Sequence, residues 1–281
     1  MADFELFTSI RYDPTLLDAP KHEDLDTADW NRKVASPWYM LDYHRDRMLK
    51  AATHFGWKSA VEKIEGLEGL KRLEDFLEPF TRSTGLKPHR VKILLDEDGT
   101  LKHEFSPAQQ TSLNNMFPIY LPAPEEAKEA KEAAVNILAR PIPGKQPEYE
   151  IYVDSAATSH TEFTHYKTTK RQMYDDARKR LHLALADPKE VLLVNPTDGS
   201  IMEGSFTTPF FWRNNRWVTP PVSQGFQEGS GSGGNEGTTR RWALERGLAI
   251  EEKVMARSLQ DGEECWISNG VRGFIFGRIK I

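Results

Sequence analysis

Lys167 sits in the run Thr164-His165-Tyr166-Lys167-Thr168-Thr169, between aromatic rings and hydroxyls. Burial among such neighbours strips water from an ammonium, lowers its pKa and makes the amine a nucleophile toward an aldehyde. An exposed lysine at a helix start would have the same sequence. Glu203, in Met202-Glu203-Gly204-Ser205, is the only carboxylate from Ile201 to Trp212, a stretch otherwise apolar or small. A carboxylate buried there needs a compensating partner, and a protonated ring nitrogen would be one. A glutamate at a strand edge is the plainer alternative.

In His44-Arg45-Asp46-Arg47-Met48 the two arginines lie about 200° apart around a helix and cannot share a face. Arg47, one residue before the apolar Met48, could aim into a cleft, where its guanidinium would suit a phosphate through two parallel bonds. It could equally be a surface arginine. The segment Gly-Ser-Gly-Ser-Gly-Gly-Asn-Glu-Gly at 229–237 runs straight into Thr238-Thr239 and a helix. Free backbone N–H groups and hydroxyls at a helix start make an anion site. No Gly-Lys-Ser/Thr follows and no strand precedes, which excludes a P-loop and a dinucleotide fingerprint. A flexible surface loop capped by threonine remains the alternative. Taken together, an amine for an aldehyde, an acid for a pyridinium and an arginine with a helix start for a phosphate are what pyridoxal phosphate requires.

The elements that must position these groups follow from spacing. Phe4 to Tyr12 reads as a strand, residues 15–36 as a loop, and Trp38 to Leu41 as a short strand. Helical spacing covers Tyr43 to Phe55, Ser59 to Ile64 and Leu67 to Phe80. Val91 to Leu95 and Leu101 to Phe105, joined by Asp96-Glu97-Asp98-Gly99, form a hairpin signal. Five prolines and the charged stretch Glu125 to Lys131 mark 119–148 as a connection or solvated face. Beyond it come strands at Tyr149 to Val153, Val191 to Asn195, Met202 to Trp212 and Trp217 to Thr219. Two strand-like pieces, Glu251 to Val254 and Cys265 to Ser268, close the chain. Helices are expected from Thr168 to Leu183, with Thr168 and Thr169 as caps, and from Thr238 to Arg246. The class is α+β.

The bulk properties bound the function. The chain has 281 residues, 38% hydrophobic and 28% charged, with a net charge of −5. That is enough apolar material for a real core and for one or two domains. Mean hydropathy is −0.59, and no stretch approaches the roughly 18 apolar residues of a membrane span. Met1 to Arg11 lacks a basic start followed by an apolar run, so no secretory signal is expected. No basic face advertises nucleic-acid binding. Cys265 stands alone, which excludes an internal disulfide and a cysteine zinc cage, and no metal is expected. A cytoplasmic protein is the expectation.

The motifs also carry a resemblance. His44-x-x-Arg47-Met48, His165-Tyr166-Lys167-Thr168-Thr169-Lys170 and Glu203-Gly204-Ser205 appear in that order. They are followed by Arg216-Trp217-Val218-Thr219-Pro220-Pro221, Gly237-Thr238-Thr239-Arg240 and Asn269-Gly270-Val271-Arg272-Gly273. The series resembles the class IV aminotransferase family, the fold type IV pyridoxal-phosphate enzymes. Within it the chain is most similar to aminodeoxychorismate lyases, particularly the lyase domains fused to bacterial aminodeoxychorismate synthases. Those share a similar Tyr-Asp-x-Ala-Arg, here Tyr174 to Arg178, and a similar opening, here Phe4 to Arg11. The resemblance spans nearly the whole chain and is specific in the second half, not over 56–145. Two departures stand out: a glycine-rich insertion at Glu228 to Gly237, and Tyr166 where the family has histidine before the lysine.

This resemblance implies a two-domain α+β fold of the D-amino-acid aminotransferase type. A smaller domain would cover 1–120, a connection 121–148, and a larger domain carrying the lysine and the phosphate loop 149–281. It implies pyridoxal 5'-phosphate as cofactor, with Lys167 as Schiff-base lysine and Glu203 facing the pyridine nitrogen. Arg47, Gly237, Thr238 and Thr239 would hold the phosphate, Asn269 would lie near the cofactor, and Arg11 would meet a substrate carboxylate. A homodimer acting on a small molecule, with no nucleic-acid or membrane partner, is implied too. The reaction implied is lysis of 4-amino-4-deoxychorismate to 4-aminobenzoate and pyruvate, a step toward folate. The alternative is a class IV transaminase acting on branched-chain, D-amino or (R)-amine substrates, and a relative that binds no cofactor stays open as a third reading.

Overall fold

The structure, a computed structural model, describes residues 2–21, 34–124 and 142–281. Residues 22–33 of the expected loop and 125–141 of the expected connection lie outside them. The chain divides into two compact units: Met1–Gln110 with Glu162–Arg171, and Thr111–Thr161 with Gln172–Ile281. The segment around Lys167, expected in the larger domain, clusters with the first unit.

In the first unit a three-stranded antiparallel sheet has the order β1 (Leu6–Tyr12), β2 (His89–Leu95), β3 (Leu101–Pro107). The β2–β3 hairpin turns at Asp96 to Gly99 as the sequence predicts. A 3-10 helix, Pro14–Lys21, occupies the start of the expected loop. Helices α1 (Leu41–His54), α2 (Lys58–Ile64) and α3 (Gly66–Thr84) follow the predicted spacing. The expected strand from Trp38 to Leu41 does not form. Trp38 makes one bridge to Tyr12, Met40 turns with φ 59°, and α1 starts at Leu41. After β3, this unit next contains α5 (Glu162–His165), whose numbering follows α4 of the second unit.

In the second unit, α4 (Leu113–Met116), α6 (Gln172–Arg180) and α7 (Thr238–Glu245) accompany an eight-stranded mixed sheet. Its strands are β4 (Tyr149–Ala157), β5 (Lys189–Val194), β6 (Ile201–Gly204), β7 (Thr208–Arg213), β8 (Arg216–Thr219), β9 (Ile250–Glu251), β10 (Glu264–Asn269) and β11 (Gly273–Lys280), in the order β6-β5-β4-β11-β10-β7-β8-β9. Alternation along the strands builds two cores. Ile151, Leu192, Phe211, Cys265 and Ile267 are fully buried on one side. On the other, Tyr174 and Ala177 of α6 pack on Val191, Leu193 and Met202. Among the described residues no helix is long and apolar enough to cross a membrane.

Three expectations in this unit are corrected. The helix expected to start at Thr168 begins at Gln172, and Thr168 and Thr169 are not its caps. The strand expected from Met202 to Trp212 is two strands, β6 and β7, which pair with different neighbours. The strand β11 was not foreseen; it pairs with β10 and lies parallel to β4 near the sheet centre.

Candidate active site

Lys167 is held by its backbone. Phe7 N–H donates to Lys167 O at 3.0 Å, Thr169 N–H donates to Glu5 O at 2.9 Å, and Leu6 bridges Thr168. The segment after α5 is therefore laid along β1, which is why it belongs to the first unit. Lys167 Nζ lies 5.0 Å from the centroid of the Phe7 ring, an attractive placement for an ammonium.

Arg47 stands on α1, three residues after the fully buried His44, so the two are neighbours on one face. Arg47 Nη2 donates to Thr8 Oγ1 at 2.5 Å, and Thr8 Oγ1 is also 2.5 Å from His44 Nδ1. Thr8 Oγ1 is thus shared between the guanidinium, which donates to it, and the imidazole Nδ1. Burial, then the charges of Arg47 and Lys167, hold His44 well below its ordinary pKa of 6.5, so the ring is neutral. Arg45 points elsewhere, to Asp46 and the carbonyls of Ile64 and Gly66, as the helical geometry predicts.

Arg11 departs from expectation. Its side chain is fully buried, with Nε and Nη2 on Asp13 Oδ2 at 2.8 and 2.6 Å and Nη1 on Gln109 O at 2.9 Å. A guanidinium committed to a buried carboxylate and a carbonyl is an anchor of the β1 end, and this geometry does not support a role in meeting a substrate carboxylate.

In the second unit, Glu203 is buried at the end of β6 and accepts a 2.6 Å bond from the Tyr174 hydroxyl of α6. The turn that follows it is gathered by Glu190, itself buried on β5. The Glu190 carboxylate accepts from the N–H groups of Ser205 and Phe206 and from the hydroxyls of Ser205 and Thr207. Arg178, one turn beyond Tyr174, donates to Ser205 Oγ at 3.1 Å and lies 3.6 Å from Glu190. That clamp is what breaks the expected long strand in two. The sequence reading used Tyr174 and Arg178 only as part of a motif, and missed Thr8 and Glu190. The four-residue helical spacing of Tyr174 and Arg178 already put those two on one face of a helix.

The glycine-rich segment is packed rather than loose. Ser232, Gly233 and Gly234 are buried, Asn195 Nδ2 donates to Ser232 O at 3.1 Å, and Ser232 N–H donates to Pro221 O at 2.8 Å. Gly233 has φ +97°, and a Cβ on Gly234 would come 2.7 Å from Met202 O, so this backbone lies against the strand that carries Glu203. At its end Gly237 is the N-cap of α7 and offers no side chain to the first N–H groups of the helix. Thr239 Oγ1 is 2.8 Å from Ser268 Oγ on β10. Thr238 is buried, and its Oγ1 has no hydrogen-bond partner among the described residues. Asn269 turns its Oδ1 to the N–H groups of Val271 and Arg272, shaping the turn between β10 and β11. The structure thus groups Lys167, Arg47 and His44 in one unit, and Glu203, Gly237, Thr238, Thr239 and Asn269 in the other.

Comparison with known proteins agrees with these features. Residues 25–278 match the model of the amino-transferase class IV family. The chain is 30% identical over 148 residues to the aminodeoxychorismate lyase of Saccharomyces cerevisiae, covering 47% of this chain and 37% of that protein. It is 26% identical over 152 residues to a putative aminodeoxychorismate lyase of Schizosaccharomyces pombe, covering 52% of this chain and 62% of that one. The matched stretches therefore span less than two thirds of either relative. Among solved structures, a putative amino-acid aminotransferase from Mesorhizobium loti superposes with a TM-score of 0.64 at 19% identity, covering 99% of this chain and all of that one. The fold is the two-domain α+β architecture of the fold type IV enzymes, whose members depend in general on pyridoxal phosphate. The chain belongs to the class IV aminotransferase family and is an enzyme.

Proposed function

We propose that this enzyme is a pyridoxal-phosphate-dependent 4-amino-4-deoxychorismate lyase that yields 4-aminobenzoate and pyruvate. The observation that carries the reading is that both curated relatives described above bear the lyase name, one of them at 30% identity. The substrate's atoms divide between the two products, so no co-reactant is needed.

The residues present fit the cofactor. A buried hydroxyl without a partner at the first residue of α7, beside helix N–H groups that no side chain caps, is a cradle for a phosphate. Thr168, next to Lys167, likewise buries a hydroxyl without a partner among the described residues. Arg47 and the amides of Thr238 and Thr239 would hold the phosphate, with Gly237 keeping those amides open. Asn269 would shape the nearby turn, and Glu203 would hold the proton on the ring nitrogen. When bound, pyridoxal phosphate supplies an aldehyde for an amine and a ring that accepts the electron pair left by C–H cleavage.

Lys167 Nζ would hold the aldehyde before turnover. It would then take the proton from the carbon bearing the substrate amine and return one to the departing enolpyruvate. The other ring becomes aromatic, which supplies driving force, so the protein contributes mainly orientation and fixed charge.

The test is an assay of the purified holoenzyme with aminodeoxychorismate against a panel of amino donors and keto acids. Release of 4-aminobenzoate and pyruvate without amino-group transfer is the expected result. Transfer to a keto acid with no lysis would replace the reading by the transaminase alternative. Borohydride should trap the cofactor on the peptide containing Lys167, and a label on another lysine would move the site.

A further inference from the structure

Glu203 has a protein partner that the reaction as proposed does not use. The Tyr174 hydroxyl donates to Glu203 Oε1 at 2.6 Å, and both side chains are buried. A bond this short from a hydroxyl to a carboxylate is charge-assisted. Tyr174 and Arg178 lie four residues apart on α6 and so share a face. Arg178 donates to Ser205 Oγ and to Ala184 O, and its guanidinium lies 4.7 Å from the centroid of the Phe206 ring. One face of α6 therefore meets the end of β6 on both sides of Gly204, at Glu203 and at Ser205. The Tyr174 ring is fixed in turn by packing with Val191, Leu193 and Met202.

We propose that Tyr174 is a positioning residue for Glu203: its hydroxyl sets the rotation of the carboxylate. The inference rests on the reading of Glu203 as partner of the ring nitrogen. A carboxylate held by a short hydroxyl bond at one oxygen presents its other oxygen in a fixed direction. A carboxylate turned away from the ring nitrogen holds a proton there poorly. The Tyr174 hydroxyl thus acts on the cofactor through Glu203, without touching it.

The experiment loads the protein with pyridoxal phosphate carrying nitrogen-15 in the ring. The ring-nitrogen chemical shift, which separates the protonated from the neutral form, is then read without substrate. In the unsubstituted protein the protonated position is expected, and in Glu203→Gln the neutral one. Tyr174→Phe keeps the ring packing and removes the donor. It should move the signal toward the neutral position, slow single turnover about tenfold, and add nothing in the Glu203→Gln background. Tyr174→4-aminophenylalanine keeps a donor and should restore the protonated position.

An unchanged signal in Glu203→Gln would remove the reading of Glu203 itself. A shifted signal in Glu203→Gln with none in Tyr174→Phe would overturn this inference and leave that reading standing. An aminophenylalanine variant that behaves like phenylalanine would also overturn it. If phenylalanine prevents folding, the Tyr174 hydroxyl proton of the unsubstituted protein decides: a resolved downfield resonance that moves on Glu203→Gln supports the inference, and an exchange-averaged one overturns it.

Discussion

Arg47 and His44 share a single oxygen, Thr8 Oγ1, which accepts from the guanidinium and is hydrogen-bonded to the imidazole Nδ1. Neither interaction can be lost alone when that hydroxyl is removed. Thr8→Val keeps the shape of the side chain and deletes both bonds. Cofactor should then be held roughly tenfold more weakly, about 1.4 kcal/mol, with turnover of the saturated enzyme little changed. Titration of the apoprotein with pyridoxal phosphate checks this, and an unaltered dissociation constant would place the phosphate arginine elsewhere.

His44 gives the fold an acid-side weakness. Burial first, then Arg47 and Lys167, hold its pKa in the folded chain well below the ordinary 6.5. The unfolded chain therefore binds the extra proton first as pH falls. Stability is full above about pH 6.5 and is lost below it, by up to about 1.4 kcal/mol per pH unit down to the folded pKa. Denaturant unfolding at pH 7 and pH 5.5 should show this slope, and His44→Gln should flatten it. Equal slopes in the two proteins would assign the acid sensitivity to other groups.

Glu203→Gln preserves shape and leaves a neutral hydrogen bond in place of a charge. Cofactor should still bind, and single turnover should slow by roughly two to four orders of magnitude, about 3–5 kcal/mol on the barrier. Rapid-mixing kinetics on protein with full cofactor occupancy is the measurement. Rates close to those of the unsubstituted enzyme would make Glu203 an ordinary strand residue.

Glu190 predicts a stability effect. Its carboxylate collects two N–H groups and two hydroxyls from the Ser205–Thr207 turn, the Val191 N–H and the nearby Arg178. Glu190→Ala removes a buried acceptor from several donors at once and takes the nearby carboxylate from the buried Arg178 guanidinium, and should cost about 3–5 kcal/mol of folding free energy. Denaturant unfolding at neutral pH reads it directly, and a loss below about 1 kcal/mol would show that water replaces the carboxylate.

What could be read before the structure was known was local. Helical spacing marked α1 to α3, and the Asp96 to Gly99 turn marked the β2–β3 hairpin, because each depends on residues close in sequence. Thr168 and Thr169 misled because their threonine chemistry suits a cap, while their backbone is recruited by β1 about 160 residues earlier. Met202 to Trp212 alternates like one strand, but Gly204 N–H closes a turn onto Thr207 O and the distant Glu190 gathers that turn. In β11 two glycines masked a strand that is held by β4 and β10 on either side. The proposed site residues rest on type and motif. For Arg11 the motif suggested a substrate partner, while the structure pairs it with the buried Asp13 two residues on.

The pairing of the Lys167 and Thr169 backbone with Phe7 and Glu5 makes the amine proposed for catalysis a tethered arm whose shoulder does not move. Its working radius is then set by four methylene groups, and length becomes a dial that can be turned without touching the fold. Lys167→Cys alkylated with bromoethylamine rebuilds an arm of nearly the native reach, and should recover turnover that the unalkylated cysteine lacks. Alkylation with bromopropylamine adds one carbon, and from a fixed shoulder the amine overshoots, so recovery should be poorer. The chain's own Cys265 stays out of this chemistry: it is fully buried, and burial pushes its thiol pKa far up. Equal recovery with both reagents would mean that the shoulder gives.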